Sequence, residues 1–426
     1  MQPSMRWNLA AGLYGNALEW FDFVIYASIA PLLATLFFPS NNVFVSLLAT
    51  FGVFAIGFFV RPLGGVLLGL YSDRIGRRSA LLASLSLMSL ASLCIGLLPP
   101  FDKIGIFAPL LLTALRILQG LAIGGELPSA TAYLIEILPG HRRCLAGSLP
   151  LSVAFLGILC GALTATILST LLAHSQLLEY GWRLAFILAA LLGLMGLYLR
   201  YHCAESKVFL EERDHTIKPL RELTHNYKTK LILGIFFTSI LALGNYLLIA
   251  FTPSYLVKFG GLSLQEASLI SFISLFVVTL LVPLSGFCAD LIGKKPIFLF
   301  GVLGLTLTSL FIFWLLKQHT FALALTSQLI LAFWLGPING TVPTILSDMF
   351  TTFVRNTGIS LSYNVGQAIF GGTAPLIAFL LLDLTHTLYS SGFYLMIISL
   401  LALFAASYYF RHPLKRAKPP SNCLGR

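Results

Sequence analysis

Long apolar segments with few charges follow one another along this 426-residue chain, and they restrict its fold more than any other feature. Only 10% of the residues are charged, and the mean hydropathy is +0.89. A membrane-spanning helix needs about 20 apolar residues, whereas the strands of a membrane barrel are about ten residues long and alternate in polarity. The segments have the helical length, so we predict an all-α polytopic membrane protein with 12 transmembrane helices. They span residues 9–38, 44–71, 79–99, 105–138, 145–172, 182–201, 230–257, 266–291, 296–316, 321–350, 356–383 and 389–410.

Basic residues fall mainly on one side of the predicted spans. If both termini are cytoplasmic, 21 of the 27 Lys and Arg residues lie on the cytoplasmic side and four on the opposite side. The remaining two, Arg61 and Arg116, lie within spans. Cytoplasmic loops are enriched in these residues, so we predict that the N and C termini face the cytoplasm. The net charge of +11 then reflects membrane topology, and we expect no nucleic-acid partner.

Two motifs recur in the second half of the chain. Residues 69–78 align with residues 286–295 at a constant offset of 217, and a second acid–base pair recurs at an offset of 212. The residues concerned are Gly69, Asp73, Arg74, Gly76, Arg77, Arg78, Asp290, Lys294 and Lys295, with Glu136 and Arg143 echoed by Asp348 and Arg355. Duplicated halves are typical of one transporter architecture.

The repeat predicts how the chain is divided into domains. An N-terminal six-helix bundle covers residues 1–201 and a C-terminal six-helix bundle covers 230–410. The hydrophilic stretch 202–229 is predicted to be a cytoplasmic linker whose charges, Glu205 among them, are simply solvated. A short cytoplasmic tail, 411–426, follows.

Five charged residues lie inside predicted spans: Glu19, Asp22, Glu126, Arg61 and Arg116. Ionised side chains cost about 2.5–3.5 kcal/mol each at the centre of a membrane helix, and they commonly mark ion or proton pathways. Three acids against two bases predict that one acid is protonated during part of a cycle. We expect Asp22 to carry that proton, with Glu19 the second candidate and Glu126 the third. In the alternative interpretation these charges only hold helices together, and Glu126 forms a fixed salt bridge. Arg116 is too far along its helix from Glu126, so we expect it to meet an acid of another helix.

Several strings in these spans carry a resemblance to a known family. The repeated loop motif and the strings at 15–23, 61–65, 116–136 and 355–375 resemble the major facilitator superfamily. Within it, they are similar to the metabolite:proton symporters, which include proline/betaine, α-ketoglutarate, citrate and shikimate transporters.

The resemblance implies a function. We expect two pseudo-symmetric bundles that take up a small organic solute with protons by alternating access, the solute being a proline- or betaine-like zwitterion or an organic acid. The resemblance also places Arg116 near the proton path and makes the repeated loop residues a cytoplasmic gate; the alternative for the loop is a topology anchor. An uncoupled facilitator or exchanger of organic acids is the alternative function.

The same resemblance implies the setting in which the protein works. We expect a monomer in a bacterial inner membrane, with a solute, protons and the lipid bilayer as partners. The sequence contains no phosphate loop, metal-ligand cluster or nucleophile motif, so we predict neither an enzyme nor a cofactor or metal site.

Nine residues are candidates for solute binding. Trp20 and Tyr26 could cage a quaternary ammonium group, and Arg61 could bind a carboxylate. Ordinary core packing for the aromatic rings, and a structural ion pair for Arg61, are the alternatives. The full set is Trp20, Tyr26, Arg61, Tyr133, Trp334, Asn339, Tyr363, Asn364 and Gln367.

Overall fold

A computed structural model describes residues 3–212 and 219–411, and every regular element in these ranges is helical. Side chains at 3–5, 43–44 and 212 are not described. The predicted tail from residue 412 onwards and the linker residues 213–218 lie outside the described residues.

Nineteen α-helices are described, and they are numbered in chain order. In the first half they are α1 Pro3–Ser28, α2 Ala30–Phe37, α3 Val43–Ile75, α4 Arg77–Leu97, α5 Phe101–Ile104, α6 Phe107–Ile137, α7 Arg143–Leu171, α8 His174–Gln176 and α9 Trp182–Tyr201. In the second half they are α10 Lys207–Glu212, α11 Pro219–Asn226, α12 Lys228–Tyr246, α13 Thr252–Lys258, α14 Leu264–Ile292, α15 Lys294–Leu316, α16 Phe321–Met349, α17 Arg355–Gly366, α18 Ala374–Thr385 and α19 Tyr389–Arg411.

The helices are long and apolar enough for the predicted membrane fold. Within the described ranges, eleven helical segments could cross a membrane, and twelve if the bent pair α1–α2 counts as one span. The all-α, twelve-helix fold class is therefore confirmed.

The first span differs from the straight segment predicted over residues 9–38. It bends by 65° between α1 and α2, where Ile29 leaves helical geometry. Pro31, in the first turn of α2, has no backbone N–H to donate to the preceding turn. A proline at this position suits a new helix start, because proline within a helix removes one backbone hydrogen bond and favours a kink.

Two spans of the second half contain a widened helical turn. A π-helical segment at Leu247–Phe251 joins α12 to α13, and another at Gln367–Gly371 lies between α17 and α18. The sequence predicted continuous spans at both places, over 230–257 and 356–383. Such insertions into a helix are frequent at functional sites.

Contacts between Cα atoms divide the chain into two compact units. Unit 1 comprises Met1–Leu134 and Leu149–Ser206, and unit 2 comprises Ile135–Ser148 and Lys207–Arg426. The short stretch Ile135–Ser148 therefore packs with unit 2, although the predicted N-terminal bundle included it. The predicted domain bounds remain a prediction.

Each unit has its own helix packing. In unit 1, α9 packs on α1 and α4. In unit 2, α16 packs on α14 and α15, while α12 packs on α17 and α19.

Small residues bring α3 and α6 into backbone contact in unit 1. A Cβ at Gly120 would overlap the backbone of Gly57, and one at Gly124 would overlap the backbone of Arg61. Gly120 and Gly124 have the small-xxx-small spacing that permits close helix contact. This contact sets how near the two arginine-bearing helices approach each other.

The repeated loop motif makes the same one-residue turn in both halves. Gly76 (φ 147°) separates α3 from α4, and Gly293 (φ 98°) separates α14 from α15. Only glycine adopts this backbone region readily. The two glycines at equivalent positions therefore end one helix and begin the next without an intervening loop.

Gly76→Ala tests this turn. We expect it to destabilise the protein by about 1–3 kcal/mol, the usual cost of forcing a side chain into this backbone region. Gly52→Ala is the matched control, because Gly52 lies within helix α3 and a Cβ there meets nothing within 4 Å. Thermal unfolding of the purified proteins in detergent compares them, and equal stability of the two variants would contradict the assignment.

Candidate functional site

Asp22 of α1 lies at the centre of a polar cluster inside unit 1. One carboxylate oxygen, Oδ2, accepts hydrogen bonds from the hydroxyl of Ser92 on α4 and from Gln119 Nε2 on α6, the latter at 3.1 Å. The other oxygen, Oδ1, lies 3.8 Å from Nη1 of Arg116, and both side chains are buried. The prediction that Arg116 meets an acid of another helix is confirmed.

Arg116 is held by aromatic rings rather than by hydrogen bonds. Its guanidinium carbon lies 3.6 Å from the ring centroid of Tyr26, and the rings of Phe23 and Phe186 are within 6 Å. None of its side-chain nitrogens has a hydrogen-bond partner among the described residues. The Tyr26 hydroxyl donates to the carbonyl of Thr50 at 3.1 Å, which fixes the ring.

Glu19 and Arg61 form a second, looser pair one turn further back along α1. Arg61 Nη2 lies 3.9 Å from Glu19 Oε1, and both side chains are buried. Arg61 also lies 5.9 Å from the ring centroid of Trp20. Trp20 and Tyr26 thus each face an arginine of this chain, where the sequence predicted a cation of the solute.

Glu126 forms a tighter pair than Asp22 or Glu19 does. It accepts from both terminal nitrogens of Arg200 on α9, one of them at 3.0 Å, and from the hydroxyl of Ser84 on α4. A Cβ at Gly15 of α1 would overlap both partners of this pair. Glycine at this position therefore leaves room for the ion pair beside α1.

Arg200 corrects the predicted charge balance. The sequence analysis assigned Arg200 to the cytoplasmic loops, but its side chain is fully buried in the last turn of α9. The three acids Glu19, Asp22 and Glu126 are therefore matched by three arginines, Arg61, Arg116 and Arg200. The argument that an excess acid must be protonated no longer holds.

Uncharged amides occupy the interior of unit 2. Asn245 on α12 and Asn339 on α16 exchange two hydrogen bonds, at 2.9 and 3.0 Å. Gln328 donates to the hydroxyl of Thr252 at 3.1 Å. Sequence reasoning identified Asn339 but missed Asn245, although a polar residue in an apolar span was a usable signal.

The other predicted residues of unit 2 do not form one group. Tyr363 and Asn364 are buried on α17, where Asn364 donates to the carbonyl of Ser360. Gln367 is the first residue of the π-helical segment in that span. Trp334 instead packs over Gly304 and against Phe300, on the side of α16 that faces α15.

Hydrogen bonds hold the stretch after α9 within unit 1. The hydroxyl of Tyr133, a residue predicted to bind solute, donates to the carbonyl of Ala204 at 2.9 Å. The Cys203 thiol, whose pKa is raised by burial, donates to the carbonyl of Arg200. Glu205 accepts from the backbone amides of Arg77 and Arg78 at 3.0 and 3.2 Å.

Glu205 corrects the expectation that the linker charges are simply solvated, and Arg77 of the first loop motif is buried. Glu205 is not merely solvated, because it satisfies backbone amides at the N terminus of α4. Arg77 is not exposed at the loop, because its side chain is fully buried and donates to Asp73 Oδ1 at 2.6 Å. Gly69 and the exposed Arg74 lie on α3 before the turn.

The predicted gate residues of the second half cluster inside unit 2. Asp348 pairs with Lys294 and, at 2.7 Å, with Arg143. Glu136 accepts from Arg355 at 2.6 Å.

Asp290 caps a helix in the same cluster. Its two carboxylate oxygens accept from the first free backbone amides of α7, those of Cys144 and Leu145, at 2.7 and 2.9 Å. Lys295 lies beside the ring of Phe410. The second copy of the motif therefore binds the start of α7, and its predicted role as a gate remains a prediction.

This fold, with charged pairs buried among apolar helices, is that of an integral membrane transporter. The chain belongs to the Major Facilitator Superfamily, whose family model matches residues 13–373 and 261–424.

Curated relatives cover nearly the whole chain. A putative proline/betaine transporter of Staphylococcus aureus is 36% identical over 94% of this chain and 87% of its own length. The glycine betaine/proline/ectoine/pipecolic acid transporter OusA of Dickeya dadantii is 32% identical over 99% and 87% of the two chains. The proline/betaine transporter of Escherichia coli is 29% identical over 98% and 86%.

Solved structures with the same fold are more distant in sequence. The proton:xylose symporter XylE matches with a TM-score of 0.79 at 19% identity, over 96% of this chain and 95% of its own. The human organic anion transporter MFSD10 matches with a TM-score of 0.68 at 16% identity, over 95% and 99% of the two chains. These similarities show the fold.

The Glu126–Arg200 pair can be tested by a double-mutant cycle. Glu126→Gln and Arg200→Met should each lower stability by about 3–5 kcal/mol, because each leaves a buried charge without its partner. The double variant should lose less than the sum of the two. Thermal unfolding in detergent measures all four proteins, and strictly additive losses would show that the two side chains do not depend on each other.

Proposed function

We propose that this protein takes up a proline- or betaine-like zwitterion together with protons, by alternating access. The Asp22–Arg116 pair is the single observation that carries the proton coupling. Uptake requires a group that is charged in one part of the cycle and neutral in another, and the surroundings of Asp22 accommodate both forms.

The ionised form of Asp22 is stabilised by the cluster around it. Two hydrogen-bond donors, Ser92 and Gln119, point at one oxygen, and Arg116 faces the other. A buried carboxylate needs such partners to remain charged.

The protonated form is also accommodated. At 3.8 Å, Arg116 makes no direct hydrogen bond to Asp22, so protonation breaks none between them. Arg116 retains its contact with the Tyr26 ring, and a serine hydroxyl can act as acceptor as well as donor. In the protonated state Arg116 loses its counter-charge but keeps the contact with the Tyr26 ring, which offsets part of that cost.

The solute class rests on the relatives. Three curated relatives that align over nearly the whole chain are named for proline and betaine transport. Glu19 and Glu126 are assigned to the proton path with Asp22 and Arg116. The residues proposed to contact solute remain those predicted. The proposed setting is a monomer in a bacterial inner membrane with both termini cytoplasmic.

Uptake into proteoliposomes tests the proposal. With an imposed inward proton gradient, proline, glycine betaine, α-ketoglutarate, citrate and shikimate are offered separately. We expect accumulation of proline or glycine betaine, and its loss when a protonophore is added. Equilibration that ignores the gradient would favour an uncoupled facilitator or exchanger, and accumulation of an organic acid alone would overturn the zwitterion assignment.

Asp22→Asn should uncouple transport. We expect proton-driven accumulation to fall by about 100-fold, because the variant cannot change charge, whereas solute exchange under equal pH on both sides continues. Asp102→Asn is the matched control, since Asp102 is exposed on the short helix α5. Parallel uptake and exchange assays separate the two activities, and undiminished accumulation by Asp22→Asn would exclude Asp22 as the proton carrier.

A further inference from the structure

A small cavity inside unit 1 lies between two of the buried carboxylates. It is lined by Glu19 and Glu126, with Ser84 beside them and apolar side chains, among them Ala122, completing its wall. Its volume is about 10 Å³, close to the room that one water molecule needs. A cavity of this size stays dry when its walls are apolar and is hydrated when polar atoms face it.

One polar atom at this cavity lacks a partner. Glu19 is 3% exposed, and its Oε2 accepts no hydrogen bond from any residue that the structure describes. Its other oxygen is 3.9 Å from Arg61, which is longer than a hydrogen bond. A buried carboxylate oxygen without a donor is costly, and a water in the adjoining cavity would supply that donor.

We propose that this cavity binds one water molecule, which joins Glu19 to Glu126 and carries a proton between them. The inference rests on the proposed proton coupling, but the water site can be tested separately. The transfer is balanced: protonated Glu19 gives its proton to the water oxygen, the water gives another of its protons to Glu126, and the water is restored.

Distances along α1 show that the proton transfer through water would connect two neighbouring acids of a series. Asp22 and Glu19 are three residues apart, about 4.5 Å along the helix, and Gly15, which adjoins Glu126, is about 6 Å further on. The three acids therefore form a series, and the cavity lies where two of them have no direct contact. Asp22 Oδ1 also lacks a hydrogen-bond partner among the described residues, but the cavity is lined by Glu19 and not by Asp22, so a water there serves Glu19.

The charged groups around the cavity determine the effect of the transfer. Arg61 on α3 faces Glu19, Arg200 on α9 pairs with Glu126, and Arg116 on α6 belongs to Asp22. A proton that reaches Glu126 neutralises the partner of Arg200. Transfer through the water therefore leaves Glu19 charged beside Arg61 and Glu126 neutral beside Arg200.

Filling the cavity tests the proposal without altering an acid. Ala122→Val places extra carbon atoms at its wall, and Ala130→Val is the matched control on the same helix, equally buried but not at the cavity. Infrared difference spectra of the lipid-embedded protein between high and low pH, recorded in ordinary and ¹⁸O water, identify a bound water by its isotope-sensitive O–H band. Proton-driven uptake and solute exchange are measured on the same variants.

We expect the band in the wild type and in Ala130→Val, and its loss in Ala122→Val and Glu19→Gln. Proton-driven uptake by Ala122→Val should be about 100-fold below that of Ala130→Val, as for a lost proton-transfer step, while its exchange activity persists. Absence of the band from the wild type, or equal proton-driven uptake by the two valine variants, would overturn the proposal. A wild type that has the band but shows no proton-driven uptake would retain the water site and refute the proposed function instead.

Discussion

The need to pair every charge that is removed from water governs the structure of unit 1. Asp22, Glu19 and Glu126 each lie opposite one arginine, and the three pairs join α1 to α6, α1 to α3, and α6 to α9. An unpaired charge in this setting costs several kcal/mol, so each pair limits the register at which its two helices pack. The backbone contact between α3 and α6 and the absence of a side chain at Gly15 are the steric conditions that let the pairs form.

The sequence was sufficient for the fold class, because hydropathy and the repeat reflect the two strongest constraints on a membrane chain. It also indicated that Arg116 would meet an acid from another helix, because Glu126 lies ten residues, or about 15 Å, further along the same helix. It failed for Arg200, which sits in the last turn of α9 next to a hydrophilic stretch. Position in the sequence suggested a loop base there, and only packing reveals that the side chain turns inward.

Other features depended on local geometry that composition does not encode. Pro31 was a visible signal for the bend after α1, and the helices after the π-helical segments at Leu247–Phe251 and Gln367–Gly371 likewise carry a proline in their first turn, but a proline alone does not show whether the chain bends or forms a π-helical turn. Glu205 was indistinguishable from its solvated neighbours, because capping the start of α4 requires a contact across more than 120 residues of chain. The roles of the solute-binding and gate residues remain predictions.

The amide pair Asn245–Asn339 has a consequence for how the two units respond to their surroundings. Its two hydrogen bonds satisfy a donor and an acceptor on each side chain, and neither side chain carries a charge. An uncharged amide pair does not titrate, and a transmembrane voltage exerts no net force on it. By contrast, moving one elementary charge across a potential of 100 mV changes the free energy by about 2.3 kcal/mol. The amide pair of unit 2 is thus electrically passive, whereas the carboxylate–arginine pairs of unit 1 carry charges on which a voltage can act.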